Sequence, residues 1–181
     1  MEVFRERGYQ AATMGDIANR AGLLKGSLYY YIESKEDLLY EVLRRAHEIG
    51  LSWTEEDEAT ASADAPTRLA AFIRRWRNGL RTGHPDLYVS EHDIRFLSPP
   101  RVKEILELRR QLVEFAQGIV AQGIDEGSFA PEHDPSLTAT TLYRVLTSGP
   151  LPRAPRAEWD QVTEWYVHLF LSALVTAPSN R

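Results

Sequence analysis

The sequence predicts an all-α protein, and three features lead to this assignment. Stretches of alternating β-branched residues, typical of strands, are scarce along the 181 residues. Apolar residues instead recur at helical spacing, and Gly or Pro falls where one helical segment gives way to the next. Hydrophobic residues make up 43% of the chain, which is enough for a sizeable core. We expect a helical head over residues 1–45 and a larger helical body over residues 46–181.

The first two predicted helices are short and are separated by turn signals. One covers Val3 to Arg7 and ends at Gly8, a residue type common just past a helix C-terminus. Thr13 with Asp16 three positions later has the spacing of a capping box, in which each side chain accepts from the other residue's backbone N–H. The helix that follows this cap ends at Gly22.

The third predicted helix covers Lys25 to about Ile32, and Ser34 caps a fourth. The fourth helix is amphipathic, with Leu38, Leu39, Val42, Leu43 and Ala46 on one side. Residues 52–66 are acidic, small and polar, and they are predicted to be a surface connection. The body helices are then predicted at about 66–82, 85–97, 100–126, 135–148 and 157–176, separated by Pro- and Gly-containing breaks.

The short helices within residues 13–32 make a helix-turn-helix, whose second helix lies in the DNA major groove in proteins that carry this motif. At 100° per residue, Leu28 and Ile32 share the face assigned to the core. The outward and flanking positions are then Gly26, Ser27, Tyr29, Tyr30 and Tyr31.

These residue types suit contacts to a duplex. Glycine permits close backbone approach, serine bonds to base edges or phosphates, and tyrosine offers a hydroxyl for phosphates and a ring for thymine methyls. Lys25 and Lys35 are candidates to neutralise phosphates, and Thr13 lies at a helix N-terminus that can meet one. The alternative is that Tyr29–Tyr31 are simply half-buried aromatics.

Charge gives this interpretation no support. The chain carries a net −5, and its first fifty residues hold seven Lys and Arg against eight Asp and Glu. Any contact to DNA must therefore depend on a few placed groups instead of a broad basic field.

At these residues the sequence resembles the tetracycline-repressor (TetR) family. The resemblance covers roughly residues 3–45, from Phe4 and Gly8-Tyr9 through Thr13-Met14 and Ala21-Gly22 to Leu38-Leu39. It implies a ligand-responsive repressor that binds a double-stranded, near-palindromic operator, with DNA contacts at Thr13, Lys25, Gly26, Ser27, Tyr29, Tyr30, Tyr31 and Lys35. Family members usually have a longer first helix preceded by a basic arm, so we expect the first helix to be truncated here. Tyr31 stands where the family often has His.

The last predicted helix indicates a dimer. Its apolar residues surround it, so it must be buried on two sides, and a second copy of the chain would cover the outer one. The resemblance implies a four-helix bundle made by the last two helices of each copy. The interface residues are predicted to be Leu142, Val145, Leu146, Trp165, Tyr166, Leu169, Phe170 and Ala173. The alternative is that one chain covers both faces.

The resemblance also implies a small-molecule site among the middle helices, about residues 66–146. Candidate residues are Arg75, Trp76, Tyr88, Glu91, His92, Arg95, Arg109 and Tyr143, which together would supply a few polar anchors around an apolar pocket. For most of them a solvated helix face with ordinary ion pairs, such as Glu91–Arg95, is the favoured alternative. The layout of the body loosely resembles the subgroup that senses acyl-CoA thioesters, and arginines suit the phosphates of CoA.

The sequence gives little evidence for other functional classes. Metalloprotease, hydrolase, dinucleotide-binding and P-loop motifs are absent, which leaves only Glu91 and His92 for acid–base chemistry in a small enzyme. A helical protein-binding adaptor is the other alternative. We expect no enzymatic activity, no cofactor and no metal. Without cysteine, a secretory segment or a long apolar run, a cytoplasmic location without membrane contact is expected.

Overall fold

The computed structural model describes residues 2–55, 62–81, 91–148 and 158–175, and it confirms the all-α prediction. These residues form eight α-helices and one 3-10 helix. In chain order they are α1 (Glu2–Ala11), α2 (Met14–Arg20), α3 (Lys25–Tyr31), α4 (Lys35–Glu55), α5 (Ala65–Arg81), the 3-10 helix (Glu91–Phe96), α6 (Pro99–Asp125), α7 (Pro135–Ser148) and α8 (Trp159–Leu174). One isolated bridge pairs Phe129 with Val175.

Helices α1 to α4 share a small core. Its buried members include Phe4 of α1, Ala18 of α2, Leu28 of α3 and Leu39 of α4. Burying a leucine or phenylalanine side chain contributes about 1.5–3 kcal/mol, so a few such residues hold these short helices together. The same cluster includes residues of the body, Leu97 and Ile105, so the head is packed onto the N-terminal end of α6. The domain boundary near residue 45 stays a prediction, since α4 continues through it.

Helix α1 extends beyond its predicted end at Gly8. Gly8 does leave helical geometry, with φ +74° and ψ 162°, but the chain then resumes a final turn that ends at Ala11. The first helical segment therefore stops at this glycine, as expected, and a separate short turn follows it. The interruption itself lies where the sequence places it, because a left-handed φ favours glycine.

The surface connection was predicted over residues 52–66, but its predicted start lies before the end of helix α4. Helix α4 continues to Glu55, and α5 already begins at Ala65. The cause is Trp53, whose ring meets that of Trp76 edge-on at 5.7 Å between centroids. A Cβ at Gly79 would lie 2.2 Å from the Trp53 ring, so this glycine makes room for the tryptophan. Local composition predicts a loop, and tertiary packing extends the helix.

The predicted α-helix over residues 85–97 is described only in its second part, where residues 91–96 form a 3-10 helix. Residues four apart do not share a face in a 3-10 helix, which has three residues per turn. The expected i, i+4 relation between Glu91 and Arg95 is therefore not the geometry of this segment.

Helix α6 is the central element of the body and packs against α4, α5 and α7, while α8 packs against α5. The core among these helices is rich in aromatic rings, including Phe72, Trp76, Phe129 and Tyr143. Two large apolar side chains lie outside this core: Leu106 of α6 is 45% exposed and Leu137 of α7 is 68% exposed. Within the described helices, none is long and apolar enough to cross a membrane.

Polar contacts join the head to the body beside the shared core. The Arg101 guanidinium, near the start of α6, forms ion pairs with Glu36 and Asp37 at the start of α4. The Ser98 backbone N–H donates to Glu36 Oε1 at 2.9 Å. Hydrogen bonds from Ser98, together with the charge of Arg101, lower the pKa of Glu36, and hydrogen bonds from Ser34 and Arg101 lower that of Asp37.

Candidate nucleic-acid interface and ligand site

The α1–α2 turn places Thr13 as the N-cap of α2, as the sequence predicts. The Asp16 backbone N–H donates to Thr13 Oγ1 at 3.1 Å, and the Thr13 N–H donates to Asp16 Oδ2 at 3.1 Å, which completes the capping box. The Thr13 hydroxyl also donates to Asp16 Oδ2 at 2.7 Å, and this bond is the largest cause of the lowered pKa of Asp16. Its proton is therefore already used within the cap. The group that remains available to a phosphate at this site is the amino end of helix α2.

The turn between α2 and α3 is closed by backbone bonds. Gly22 adopts φ +68°, and the Leu23 N–H donates to the Ala18 carbonyl at 2.9 Å, the six-to-one bond of a Schellman motif. Helix α3 then crosses the head with Leu28 buried against the core, as predicted from its position. This one anchor residue fixes which side of the short helix faces outward.

The outer side of α3 is open to solvent. Tyr30 is 84% exposed, Tyr31 76% and Tyr29 43%, while Lys25, Gly26 and Ser27 are exposed as well. No heavy atom lies within 4 Å of a Cβ built on Gly26, so backbone approach at this point is unobstructed. The tyrosines are not the half-buried aromatics of the alternative interpretation. Large exposed side chains grouped on one face mark a surface with a partner.

The aromatic rings of α3 are arranged against each other and against a cation. Tyr30 and Tyr31 meet edge-on with centroids 5.2 Å apart, and Lys25 Nζ lies 5.9 Å from the Tyr29 centroid. Arg7 and Arg20, two other head cations, form ion pairs with Asp16 and Glu6 respectively. The surface therefore combines exposed rings, hydroxyls and a lysine, without a broad positive field.

Lys35 lies elsewhere. Its ammonium group faces the carboxyl end of α1, where Nζ donates to the backbone carbonyls of Tyr9, Gln10 and Ala12 at 2.9, 3.2 and 3.0 Å. It also lies 4.5 Å from the centroid of the Tyr9 ring. Sequence reasoning assigned this lysine to a phosphate, and its bonds inside the head were not visible in the pattern.

Several of the predicted ligand residues converge in the body. Trp76 and Tyr143 are buried with ring centroids 6.0 Å apart, and the Arg109 guanidinium lies 5.2 Å from the Tyr143 centroid. Arg75 Nη1 donates to the Trp53 carbonyl at 2.7 Å. Among the described residues, the buried indole N–H of Trp76 has no hydrogen-bond acceptor. A buried donor without an acceptor is costly, so a polar ligand atom would be favoured there.

The other predicted ligand residues are not brought into this group. Tyr88 and the side chains of Glu91 and His92 lie outside the described residues. Arg95 is exposed and stacks on Phe96, with 4.8 Å to the centroid, and Phe96 packs on the head cluster. For Arg95, the structure favours the solvated-face alternative.

Sequence reasoning missed His47, a buried polar residue on α4 with 5% exposure. Its Nδ1 lies 2.7 Å from the Leu43 carbonyl oxygen, so this nitrogen carries a proton and donates it. Its Nε2 lies 3.0 Å from the Tyr143 hydroxyl oxygen, and in the neutral imidazole with its proton on Nδ1 this nitrogen is the acceptor. The signal was present: His47 lies four residues after Leu43 on the apolar face of α4, and a polar side chain there requires a partner.

The predicted dimer residues divide into two groups. Leu142, Leu146 and Tyr166 are buried in the chain's own core, which for these three is the alternative that one chain covers them, and Val145 and Phe170 are half-buried. Periodicity gives the spacing of apolar positions but does not tell which neighbour covers them. Trp165 is 57% exposed, Leu169 is 44% exposed and Ala173 is exposed. These three lie at i, i+4 and i+8 on one face of α8, which we call the outer α8 stripe.

Comparison with known families and proteins agrees with this geometry. Residues 1–42 match the family described as "Bacterial regulatory proteins, tetR family", and residues 62–150 match "Tetracyclin repressor-like, C-terminal domain". The HTH-type transcriptional repressor KstR2 of Mycobacterium tuberculosis is 32% identical over 148 residues, which are 80% of this chain and 70% of the repressor. The fatty acid metabolism regulator protein of Bacillus subtilis is 26% identical over 146 residues, 81% of this chain and 75% of the regulator.

Solved structures share the fold. The structure of the ketosteroid transcriptional regulator KstR2 of Mycobacterium tuberculosis aligns with a TM-score of 0.81 at 27% identity, covering 97% of this chain and 91% of that chain. AibR, solved in complex with isovaleryl coenzyme A and operator DNA, aligns with a TM-score of 0.76 at 19% identity, covering 93% of this chain and 91% of that chain. At that identity the second likeness concerns the fold alone.

Proposed function

Because the chain belongs to the TetR family of bacterial transcription regulators, we propose that it is a homodimeric repressor released from its operator by an acyl-CoA thioester. The observation that carries the proposal is the outer side of α3, where rings, hydroxyls and Lys25 are exposed around a backbone with free approach at Gly26.

The proposed DNA contacts follow from the chemistry of this surface. Ser27 and the tyrosine hydroxyls donate to base edges and phosphates, and Lys25 neutralises a phosphate. The amino end of α2, capped by Thr13, binds a second phosphate through the helix N-terminus. In the helix-turn-helix docking geometry, α3 lies in the major groove while α2 crosses the backbone.

A second copy is the proposed partner of the outer α8 stripe. Trp165, Leu169 and Ala173 leave apolar area in solvent that the described residues of one chain do not cover. Joining two copies through this stripe would bury that area and present two α3 helices to one duplex. Such a dimer reads a near-palindrome with half-sites about 34–36 Å apart.

The acyl-CoA assignment is supported by the buried polar groups of the body and by the relatives. Trp76, Tyr143 and Arg109 place an indole N–H, a hydroxyl and a cation around one aromatic core. Fatty acid metabolism and ketosteroid regulation appear among the relatives' names. Both concern acyl or steroid chemistry, which suits an apolar site with few polar anchors.

The proposed coupling passes through His47. This residue is on α4, the helix that leads into the head, and its partner Tyr143 is on α7 beside Trp76 and Arg109. A thioester that displaces the Tyr143 hydroxyl would break its hydrogen bond to His47 and favour another position of α4. The ligand must bind that released state more tightly than the DNA-bound state for release to occur.

A mobility-shift titration tests this function. The probe is the DNA upstream of the chain's own gene, with a shuffled duplex as the competitor. We expect one salt-sensitive complex that Tyr30→Ala weakens, and its release by one member of a series of saturated acyl-CoA thioesters but not by free CoA. Absence of binding together with a monomer in solution would contradict the proposal and favour an adaptor. Binding that no thioester alters would contradict the assigned inducer alone.

A further inference from the structure

We propose that Lys35 is a positioning residue, which holds the α1–α2 turn in place for DNA binding and does not itself contact a phosphate. The inference rests on the proposed DNA-binding function. It concerns the lysine that the sequence pattern assigns to the nucleic acid, and it assigns the Nζ atom to the backbone carbonyls of the α1–α2 turn.

The Lys35 ammonium has an acceptor for each of its donors. A lysine ammonium has three N–H groups, and Lys35 Nζ has three carbonyl oxygens within 3.2 Å, those of Tyr9, Gln10 and Ala12. The Tyr9 ring adds a cation–π interaction, with Lys35 Nζ 4.5 Å from the ring centroid. To reach a phosphate, the ammonium would have to give up these interactions.

The carbonyls at the end of α1 in turn need a donor. The last carbonyls of a helix lack partners within the helix, and cations near that end are stabilising. Helix α1 is interrupted at Gly8, so its final turn is a single short segment. Lys35, the first residue of α4, donates to the exposed end of this segment from another helix and so joins α4 to the α1–α2 turn.

The α1–α2 turn leads directly into the proposed DNA-binding elements. Ala12 is buried with 2% exposure, and the next residue, Thr13, caps α2. Helix α2 packs on α3, and its amino end is the proposed second phosphate site. Holding the Ala12 carbonyl therefore fixes where α2 begins relative to α3, and thereby how both meet the duplex.

The salt dependence of binding distinguishes the two roles. Removing one contact to a phosphate lowers the slope of log affinity against log salt by about 0.9. The experiment compares Lys35→Gln with the matched control Lys25→Gln, using fluorescence anisotropy between about 50 and 200 mM salt. The probes are a duplex that the wild-type protein selects from a random library and a shuffled duplex of the same length.

We expect Lys35→Gln to keep the wild-type slope, to weaken the selected duplex about tenfold and to leave the shuffled duplex within about twofold. Lys25→Gln should lower the slope on both duplexes by about one for each phosphate that the side chain no longer neutralises. Lys35→Arg should recover part of the selectivity, since a guanidinium still donates to carbonyls.

Two results would overturn the assignment. A slope reduced on both duplexes by Lys35→Gln would make Lys35 a phosphate contact. A variant of reduced melting temperature but unchanged selectivity below its melting temperature would make it only a stability residue. If wild-type protein selects no duplex, the proposed function fails instead.

A measurement on the wild-type protein avoids any folding defect in the variants. The ¹⁵N-labelled Nζ resonance of Lys35 is recorded before and after adding the selected duplex. We expect it to move little, while the Lys25 signal shifts. A coupling between Lys35 Nζ and a duplex phosphorus atom would contradict the proposal directly.

Discussion

Helices α3 and α8 each leave a group of large hydrophobic side chains in solvent, and they do so in different ways. Helix α3 exposes Tyr29, Tyr30 and Tyr31 beside Lys25 and Ser27. Helix α8 exposes Trp165, Leu169 and Ala173, which carry one indole N–H as their polar group. The first surface offers a hydroxyl on each ring and one lysine beside Tyr29, whereas the second offers chiefly apolar area.

The difference indicates the kind of partner. A duplex requires donors and a positive charge, and it accepts aromatic edges against thymine methyls. A second protein copy gains most from apolar area buried in the centre of an interface. The exposed fractions of the side chains alone do not distinguish the two surfaces, whereas the polar groups beside the rings do.

The largest effect is expected at the outer α8 stripe. Trp165→Glu would place a charge in the proposed dimer interface, and burying an unpaired charge is costly. We expect the dimer dissociation constant to rise by more than about a hundredfold, and operator binding to weaken with it. Sedimentation velocity measures the first quantity. Gln111→Glu, on the exposed side of α6, is the control, and a dimer unchanged by Trp165→Glu would remove α8 from the interface.

A smaller effect is expected on α3. Tyr30 is 84% exposed, so Tyr30→Ala should leave the melting temperature almost unchanged, while the operator affinity falls about tenfold. Tyr30→Phe separates the hydroxyl from the ring. Equal weakening of operator and shuffled-duplex binding would show that Tyr30 contacts only the backbone of the duplex.

Tyr143→Phe tests whether ligand binding in the body is coupled to α4 through His47. The change removes the hydroxyl that hydrogen-bonds to His47 Nε2 and should cost about 1–2 kcal/mol, or about 2–8 °C in melting temperature. We also expect about fivefold weaker release from the operator by the active thioester. Thr147→Val is the control, since the Thr147 hydroxyl donates to the Tyr143 carbonyl one turn earlier and leaves the Tyr143 hydroxyl untouched. Release unchanged by Tyr143→Phe would exclude this route.

The smallest effect is expected at the polar contacts between the head and α6. Glu36 and Asp37 have lowered pKa values in the folded protein, so the stability they contribute is present above about pH 4.5 and is lost as the pH falls through the lowered values. Arg101→Gln should lower the melting temperature at pH 7 by about 2 °C and reduce its fall between pH 7 and pH 3.

Arg110→Gln is the control for this change, because Arg110 pairs with Glu107 and Glu114 within α6. The Arg110 guanidinium lowers the pKa of Glu107 to about 2. Equal effects of the two substitutions on the pH dependence would show that the contact with the head adds nothing beyond a local ion pair.

The sequence predicted those features that depend on local pattern. The Thr13–Asp16 capping box, the span of α3 and the outward set around Leu28 all follow from residue type and spacing, and the structure has each of them. The turn at Gly22 is equally local, because its left-handed backbone favours glycine.

Features set by distant residues were not predicted. Lys35 bonds to carbonyls more than twenty positions earlier, and His47 bonds to Tyr143 across 96 positions. Trp53 extends α4 into a segment whose composition indicates a loop, because its ring packs on Trp76. Helical periodicity likewise placed Leu142, Leu146 and Tyr166 on apolar faces without telling that α7 and α8 bury them in their own chain.

Footprinting of the dimeric complex tests most directly whether α3 enters the major groove twice on one duplex. Hydroxyl-radical and guanine-methylation protection on the selected duplex should show two major-groove sites about 10–10.5 base pairs apart, centre to centre, or a multiple of that spacing. Tyr30→Ala should weaken protection at both sites. A single protected site, or two sites that Tyr30→Ala leaves unchanged, would contradict the proposed docking of α3.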